Sequence, residues 1–230
     1  MKKILAIVIV LLAFSCTNET KNFTLKGNIK GLKKGTVYLE REQDSTYSII
    51  DSLEINGSPE FELHSNLEEP EVLFLRLNKN GQEEGIIAFF ADKGTTEINS
   101  TLKNFNFDAK IKGSKQQDLL QEYLSMISKF NDQNLDLIKE RFDPNNTNDT
   151  LKTADYESKQ NGLVKRQYLY TINFAITHNT SQVAPYLAVK EISNASTKYL
   201  DTIYNTLTDS IKTSLYGKNL KELIETRKEN

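Results

Sequence analysis

Hydrophobic and polar residues alternate along the first half of this chain, whereas along the second half the hydrophobic residues recur every three or four positions. The pattern changes at Gly113 and Ser114. Just before this point a strand is predicted with four apolar residues on one face: Phe105, Phe107, Ala109 and Ile111. Just after it, Ser114 and Gln117 have the spacing of a capping box, in which each side chain bonds a free backbone N–H. The chain is therefore predicted to be an α+β protein, with the β half first.

About eight short strands, separated by turn residues, are predicted between residues 22 and 112. This number and spacing are typical of an antiparallel β-sandwich or barrel. Gly27 predicts a bulge in the first strand, and Asn56-Gly57 predicts a tight hairpin because both residues tolerate a positive φ. The runs 71–77 and 86–91 are apolar on both faces, so we expect two central strands that are covered on both sides.

The second half of the chain predicts a C-terminal bundle of four to five helices between residues 113 and 230. Pro144 ends the first helix because proline cannot continue one, and Gly217 separates the last two helices. The expected helices cover residues 114–142, 154–178, 181–192, 200–211 and 220–228.

The first fifteen residues predict a leader peptide. Lys2 and Lys3 give a positive start, and residues 4–14 form an apolar run that is too short to span a bilayer. The segment LAFSC, which ends at Cys16, resembles the relaxed lipobox of Bacteroidetes lipoproteins, where a lipid is attached to the cysteine. We therefore expect a lipoprotein signal peptide over residues 1–15, lipidation of Cys16, and a tether over residues 16–21. The alternative is an ordinary secretory peptide with a chance cysteine.

Cys16 is the only cysteine in the sequence, and several expectations follow from its position. Neither a disulfide within the chain nor a C-x-x-C pair can form, so thiol redox chemistry and cysteine-based metal sites are not expected. Multiple acylation anchors a protein to the lipid bilayer without a transmembrane helix. No run of acidic residues that would signal export to the cell surface follows Cys16. We expect a lipid-anchored protein of the cell envelope, on the outer membrane and facing the periplasm.

Four segments around the β half together resemble one known family. In order along the chain they are FTLKGNIKGLKKGTVYLE, IIDSLEINGSPEFEL, AFFADKGTTEI and FDAKIKGSKQQDLLQEY. They resemble the domain of unknown function DUF4369, which in Bacteroidetes commonly lies ahead of a thioredoxin-like domain in lipoprotein thiol–disulfide or peroxiredoxin-type proteins. The resemblance implies a DUF4369-like β domain over residues 22–112 and a helical domain over residues 113–230.

The resemblance continues into the helical half. The segment ITHNTSQVAPYLAVKEI is similar to a helix start of the same proteins, with Thr180 in place of the usual proline. Residues 215–220 (LYGKNL) are similar to the segment that leads into their thioredoxin domain. The redox site of that domain is a W-C-x-x-C segment, and no position of this sequence matches it. We therefore expect the non-catalytic front end of such a protein, without cofactors, whose helices leave a docking face exposed.

Candidate catalytic or metal-binding side chains are few. His64 and His178 lie 114 positions apart, without the spacing of a metal or catalytic pair. Asp51-Ser52 precedes the predicted hairpin, but neither histidine has a sequence reason to lie near this serine. The glycines match no phosphate-binding loop. Without the leader the chain has 27 basic and 31 acidic residues, a net charge of −4 with dispersed lysines, which argues against nucleic acid as a partner.

Tyrosines and short acceptor motifs are the remaining candidates. Seven tyrosines lie in or next to the predicted helices, and we expect most to be half-buried in the core while a minority line a groove or a partner face: Tyr123, Tyr156, Tyr168, Tyr170, Tyr186, Tyr199 and Tyr204. Four motifs resemble the D-S/T-x acceptor for O-glycosylation of exported Bacteroidetes proteins, centred on Ser45, Thr150, Thr202 and Ser210. Ser45 and Thr150 fall on predicted loops and are the expected acceptors, whereas the other two fall in helices.

Three functions are compatible with these features. The first is a membrane-anchored bacterial lipoprotein that serves binding or assembly without catalysis of its own. The second is an accessory of a periplasmic thioredoxin-like thiol–disulfide oxidoreductase, acting in trans through its helices. The third is a hydrolase with an unrecognised carboxylate site, which no constellation in the sequence supports.

Overall fold

The computed structural model describes residues 21–43, 46–142 and 150–229 of the 230-residue chain. Within these residues eight strands are followed by six helices, which confirms the α+β class. The strands are β1 (Phe23–Lys30), β2 (Lys34–Gln43), β3 (Thr46–Asn56), β4 (Glu60–Ser65), β5 (Glu71–Lys79), β6 (Gln82–Ala91), β7 (Gly94–Thr101) and β8 (Lys110–Lys112). The helices are α1 (Lys115–Arg141), α2 (Thr150–Thr177), α3 (Val183–Lys190), α4 (Thr197–Thr206), α5 (Asp209–Lys212) and α6 (Leu215–Glu229).

The described strands form two four-stranded sheets rather than a closed barrel. Sheet A has the order β4-β1-β7-β8, and sheet B has the order β3-β2-β5-β6. Neighbouring strands are antiparallel except for β1 and β7, which run parallel with Phe23 opposite Gly94. One face of each sheet contributes to a shared core, whose fully buried members include Phe23, Leu25, Val37, Leu39, Leu75 and Phe89. The eight strands therefore form a β-sandwich.

Two of the predicted turn features are wrong. Gly27 keeps a regular register with both neighbouring strands, so it is not a bulge; the ring of Phe61 occupies the space that a Cβ at this position would need. Asn56-Gly57 does not close a hairpin, because β3 pairs with β2 while β4 pairs with β1. The chain instead crosses from sheet B to sheet A at Gly57, whose φ of 105° suits glycine. The side-chain packing that decides both features is not encoded in local spacing.

The last predicted strand is much shorter than expected. Only Lys110–Lys112 form β8, and the residues before it form turns. Phe105 and Phe107 therefore do not share a face: the first is buried, while the second is 92% exposed. The Ser100 hydroxyl donates a hydrogen bond of 2.6 Å to the Phe105 carbonyl, which holds this turn against β7. A tertiary contact overrides the alternating pattern here.

The two strands that are apolar on both faces occupy different places in sheet B. β5 is central, as predicted, whereas β6 is an edge strand and its Ala88 is exposed. The edge is protected in part by Gln117 of α1, whose Oε1 accepts a hydrogen bond of 2.7 Å from the Phe90 backbone N–H. The apolar residues of β6 thus reflect cover by a helix rather than a central position.

The predicted cap of α1 is half confirmed. Ser114 is the N-cap, and its hydroxyl accepts a hydrogen bond of 3.0 Å from the Gln117 backbone N–H. The reciprocal bond of a capping box is not formed, because the Gln117 side chain bonds Phe90 of sheet B. The Ser114 hydroxyl also donates to Asp92 Oδ2 at 2.8 Å, so the helix start is joined to the end of β6.

The helical half contains six helices in its described residues, one more than the largest predicted number. The predicted fourth helix is divided at Leu207, whose ψ of 144° is extended, into α4 and α5. Gly217 does not separate two helices; it lies inside α6, where the Ile211 carbonyl leaves no room for a Cβ. Pro144, the predicted end of the first helix, lies outside the described residues. No helix in the described ranges combines the length and apolar content needed to cross a membrane.

The helices pack on the outer face of sheet B, the face opposite the sandwich core. Their contact is one buried cluster composed of Val72, Phe90, Leu120, Tyr123, Phe174, Val183, Leu187 and Tyr216. A separate apolar cluster, with members in α2, α3, α4, α5 and α6, holds the bundle together. One end of sheet B's outer face is therefore covered by helices, and the rest of that face remains open.

Thr96 of β7 is a position where the sandwich is expected to lose stability. Its side chain is fully buried, and its Oγ1 has no hydrogen-bond partner among the described residues. A buried polar group without a partner costs about 1–3 kcal/mol. We expect Thr96→Val, which keeps the shape, to raise the free energy of unfolding by about 1 kcal/mol in urea denaturation.

The matched control is Thr171→Val, at an equally buried threonine of α2. The Thr171 hydroxyl bonds the Tyr123 hydroxyl at 2.9 Å and the Gln167 carbonyl at 3.1 Å. This substitution should lower the free energy of unfolding by about 1–3 kcal/mol, because Tyr123 loses its partner. A loss of stability in both variants would contradict the assignment of Thr96.

Candidate functional site

A cleft of about 410 Å³ lies where the outer face of sheet B meets α3 and α6. Four aromatic side chains contribute to its walls: Tyr47 and Phe74 come from β3 and β5, and Tyr186 and Tyr216 come from α3 and α6. Its volume is within the usual range of small-molecule and side-chain pockets. We call it the aromatic cleft.

The contact between α6 and sheet B positions this cleft. The Tyr216 hydroxyl accepts a buried hydrogen bond of 2.8 Å from the Val72 backbone N–H. Its ring packs edge-on against Phe90 and Tyr186, with ring centres 5.6 Å and 5.2 Å away. Gly217, the next residue, lets α6 approach the α5 backbone closely. The tyrosine therefore acts both as a wall of the cleft and as the attachment of the last helix.

The charged groups of the cleft are paired with one another. Glu71 receives two hydrogen bonds from the Arg41 guanidinium, of 2.6 Å and 2.8 Å. Lys190 of α3 donates to Glu42 of β2 at 3.0 Å, which links the helices to sheet B. Two acidic and two basic side chains thus neutralise each other, so the cleft presents aromatic and uncharged polar surface rather than net charge.

Tyr186 provides the cleft with an available hydroxyl. Burial raises the pKa of Tyr186 to about 12, and burial also raises the pKa of Tyr216 well above its usual value. Both side chains are therefore neutral phenols near neutral pH. Within the described residues the Tyr186 hydroxyl has no hydrogen-bond partner, whereas that of Tyr216 bonds Val72. The cleft can offer one tyrosine hydroxyl to a bound group.

An open surface continues from the cleft across the rest of sheet B's outer face. It contains the nearly buried carboxylate of Glu40, which accepts three hydrogen bonds of 2.5–3.1 Å from Arg76. The guanidinium also lies 4.2 Å from the centre of the Tyr38 ring. Next to these residues Ile49 is 56% exposed. This surface places an exposed apolar side chain beside a neutralised ion pair.

A concave region on sheet A is of a different kind. It has a volume of about 560 Å³ and lies over the outer face of β1, β4 and β7. Its lining includes Lys26, Glu60, Glu62 and Glu97, which alternate with the inward core residues of their strands. Alternation of this kind is expected of the solvated face of a sheet. We therefore place the candidate site at the aromatic cleft.

The structure does not assemble the residues that the sequence offered for catalysis into one site. His64 lies in β4 with its Nδ1 3.2 Å from the Thr24 hydroxyl, and His178 follows α2 with its Nδ1 2.8 Å from the Phe174 carbonyl. Asp51 does contact His64, but through the backbone N–H, at 2.7 Å, so it does not orient the imidazole. Among the described residues no three His, Cys, Asp or Glu side chains are grouped to hold a metal.

The predicted modification sites are only partly described. Cys16 and Ser45 lie outside the described residues. Thr150 is the first residue of α2, whereas the sequence placed it in a loop. Thr202 and Ser210 lie in α4 and α5, and the sequence had also predicted helices at these two acceptor motifs.

The expectation that a minority of helical tyrosines line a groove fits Tyr186. Tyr123 and Tyr156, in contrast, are buried in the packing of the helices. Sequence reasoning missed Tyr216 and Tyr47 of the cleft. The one local signal for Tyr216 is the glycine that follows it, since a glycine within a helix often marks a close approach.

Comparison with known proteins gives a family for the first part of the chain. Residues 23–120 match the model of the family described as Domain of unknown function (DUF4369). The chain contains a DUF4369 domain. The match covers the whole sandwich and the first residues of α1, including Ser114 and Gln117. None of the curated proteins matches the chain.

The joint between the DUF4369 domain and α6 can be tested at Tyr216. In Tyr216→Phe the buried Val72 N–H loses its acceptor, so we expect the free energy of unfolding to fall by about 1–2 kcal/mol in urea denaturation. Tyr186→Phe is the matched control, since it removes a hydroxyl that bonds no described residue. It should change stability by less than about 0.5 kcal/mol. Equal losses in the two variants would contradict the attachment role of Tyr216.

Proposed function

We propose that this chain is a membrane-anchored bacterial lipoprotein that acts as a binding or assembly module without a reaction of its own. The anchor rests on the leader pattern and on Cys16, the only cysteine, which stands directly after the apolar run. On this proposal the lipid bilayer of the outer membrane is one partner, contacted through the acylated cysteine, and the folded chain faces the periplasm. Ser45 remains a proposed O-glycosylation site, whereas Thr150 begins α2 and no longer meets the condition of lying in a loop.

The binding role rests on the aromatic cleft and the open surface beside it. Tyrosines are enriched where proteins contact partners, because one ring buries a large area and also offers a hydroxyl. The cleft holds three of them, and its charged groups are already paired, so a partner need not neutralise a buried charge. A segment with an apolar or aromatic side chain and a hydrogen-bond acceptor for Tyr186 fits this chemistry.

A second candidate is an accessory of a thioredoxin-like oxidoreductase that acts in trans. It is favoured by the position of residues 215–220, which resemble the segment that leads into the thioredoxin domain of related lipoproteins. In this chain that segment begins α6 and forms one wall of the aromatic cleft. A thioredoxin-like partner would then contact the surface formed by α6 and sheet B.

The anchor is tested by metabolic labelling with a palmitate analogue. The full chain should incorporate the label and fractionate with membranes, and Cys16→Ala should lose the label because no other thiol is present. Cys16→Ala is expected to leave the fold unchanged, which circular dichroism can check. Label that persists in Cys16→Ala would refute lipidation at this residue.

The binding surface is tested by site-specific photocrosslinking in intact membranes. A benzophenone amino acid replaces Tyr47, which is 50% exposed at the cleft, in the full chain. We expect discrete crosslinked products that mass spectrometry can identify. The matched control replaces Phe107, an aromatic residue that is 92% exposed beside sheet A.

The two positions give distinct outcomes. Products at Tyr47 and not at Phe107 support binding at the cleft, and a protein with a C-x-x-C segment among them favours the second candidate. Equal products at both positions, or none at Tyr47, would contradict a binding role for this surface. Turnover of a substrate by the purified chain that depends on its own carboxylates would overturn the non-catalytic proposal.

A further inference from the structure

The tether joins the fold at the end of the sandwich that carries the aromatic cleft. Residues 16–21 precede Asn22, and β1 follows directly with its first residue, Phe23. The cleft is lined by Tyr47 from the start of β3 and by Glu71, the first residue of β5. Hydrogen bonds connect these strand starts with Asn22 in two ways.

The first connection is the loop between β4 and β5, residues 66–70, which we call the anchor loop. The Asn22 side chain forms two hydrogen bonds of 2.8 Å with the Leu67 backbone, donating to its carbonyl and accepting from its N–H. Glu69 of the same loop accepts a hydrogen bond of 3.0 Å from the backbone N–H of Leu215, which lines the cleft. One short loop therefore holds both the root of the tether and the helical wall of the cleft.

The second connection runs through Arg41 on the sheet B side. Its guanidinium donates to the Asn66 carbonyl at 3.3 Å and to Glu71, a lining residue of the cleft, at 2.6 Å. The Asn66 side chain in turn accepts a hydrogen bond of 3.2 Å from the Asn22 backbone N–H. Only Asn66 and Arg41 thus separate the tether root from the cleft.

The other end of the sandwich is much farther from the tether. β1 runs for 8 residues from the tether root to Lys30, about 26 Å, and it ends beside Thr101 of β7. Phe107 lies in the turn that follows β7, because the Asn104 N–H bonds the Thr101 hydroxyl and the Phe107 N–H bonds the Asn104 carbonyl. Phe107 and the cleft therefore lie at opposite ends of the sandwich.

The length of the tether limits how far the cleft can be from a bilayer. The six residues from Cys16 to Lys21 reach at most about 20 Å when fully extended. When Cys16 is acylated, the cleft end of the fold therefore stays close to the bilayer surface, whereas the end with Phe107 can lie a full strand length farther away.

The chemistry of the cleft favours a side chain rather than a lipid headgroup. Phosphate groups are bound by cationic side chains, but the two cations at the cleft, Arg41 and Lys190, already pair with Glu71 and Glu42. The aromatic walls and the Tyr186 hydroxyl instead suit an aromatic or apolar side chain with an acceptor beside it. Membrane proteins concentrate tyrosine and tryptophan where their chains meet the bilayer surface.

We propose, building on the function proposed above, that the partner of the aromatic cleft is a juxtamembrane segment of another membrane-bound protein. The segment inserts an aromatic or apolar side chain into the cleft and offers an acceptor to the Tyr186 hydroxyl. The short tether and the partner's own membrane attachment keep the two in one thin layer, which raises their effective concentration.

The orientation is tested on the full chain, purified from membranes and reconstituted in vesicles of phosphatidylcholine and phosphatidylglycerol. The chain contains no tryptophan, so Tyr47→Trp introduces a single fluorescent reporter at the cleft. Phe107→Trp is the matched control at the far end. The reporter at residue 47 should transfer energy to a dansyl-labelled phospholipid more efficiently than the reporter at residue 107. Equal transfer from the two positions would overturn the proposed orientation.

The partner class is tested by lengthening the tether. Twenty Gly and Ser residues inserted between Thr20 and Lys21 lengthen it about fourfold. Effective concentration falls with roughly the −3/2 power of linker length, so the crosslinked product from a benzophenone amino acid at residue 47 should fall about ninefold in membranes. The same twenty residues added after Asn230 are the matched control and should leave the yield unchanged.

The outcomes distinguish this partner from the binding role itself. A yield that falls only with the longer tether, and a crosslinked protein with its own membrane segment or lipid anchor, support the juxtamembrane partner. A yield that the longer tether does not change, or a soluble crosslinked protein, would overturn it while the cleft remains a binding site. The absence of any product at residue 47 would instead overturn the binding role, and the juxtamembrane partner with it.

Discussion

The contact between the outer face of sheet B and the helices is the interaction on which the rest of the structure depends. Phe90 is at its centre: the side chain is completely buried between Tyr186 and Tyr216, and the backbone N–H bonds Gln117 of α1. One residue of an edge strand thus contacts helices from both ends of the helical half. Without this cover, β6 would expose an apolar face and an unpaired edge, which sheets avoid.

The same contact creates the candidate site. Helices cover only one end of the outer face, so the boundary between covered and open sheet becomes a cleft lined by residues of both halves. The bond between Tyr216 and Val72 fixes the position of α6 at that boundary. The cleft therefore exists only when the sandwich and the bundle are docked, and any change that loosens α6 changes the site as well as the stability.

The chemistry of the candidate site also results from this arrangement. The aromatic cleft has paired charges and an available phenol, which suits a partner segment that contributes an apolar group and an acceptor.

The sequence by itself determined the α+β class, the β half before the α half and the N-cap at Ser114, because these follow from local periodicity and from residue chemistry at fixed spacing. The DUF4369 domain followed instead from resemblance to a known family, and the family model matches residues 23–120. Only the tertiary structure decided how the strands are divided between two sheets, that Gly27 and Gly217 exist for close packing, and that Phe105 and Phe107 point in different directions. It also decided that Tyr47, Tyr186 and Tyr216 meet, from three distant parts of the chain. Contacts between residues far apart in sequence leave no local period, so alternation and helical spacing could not reveal them.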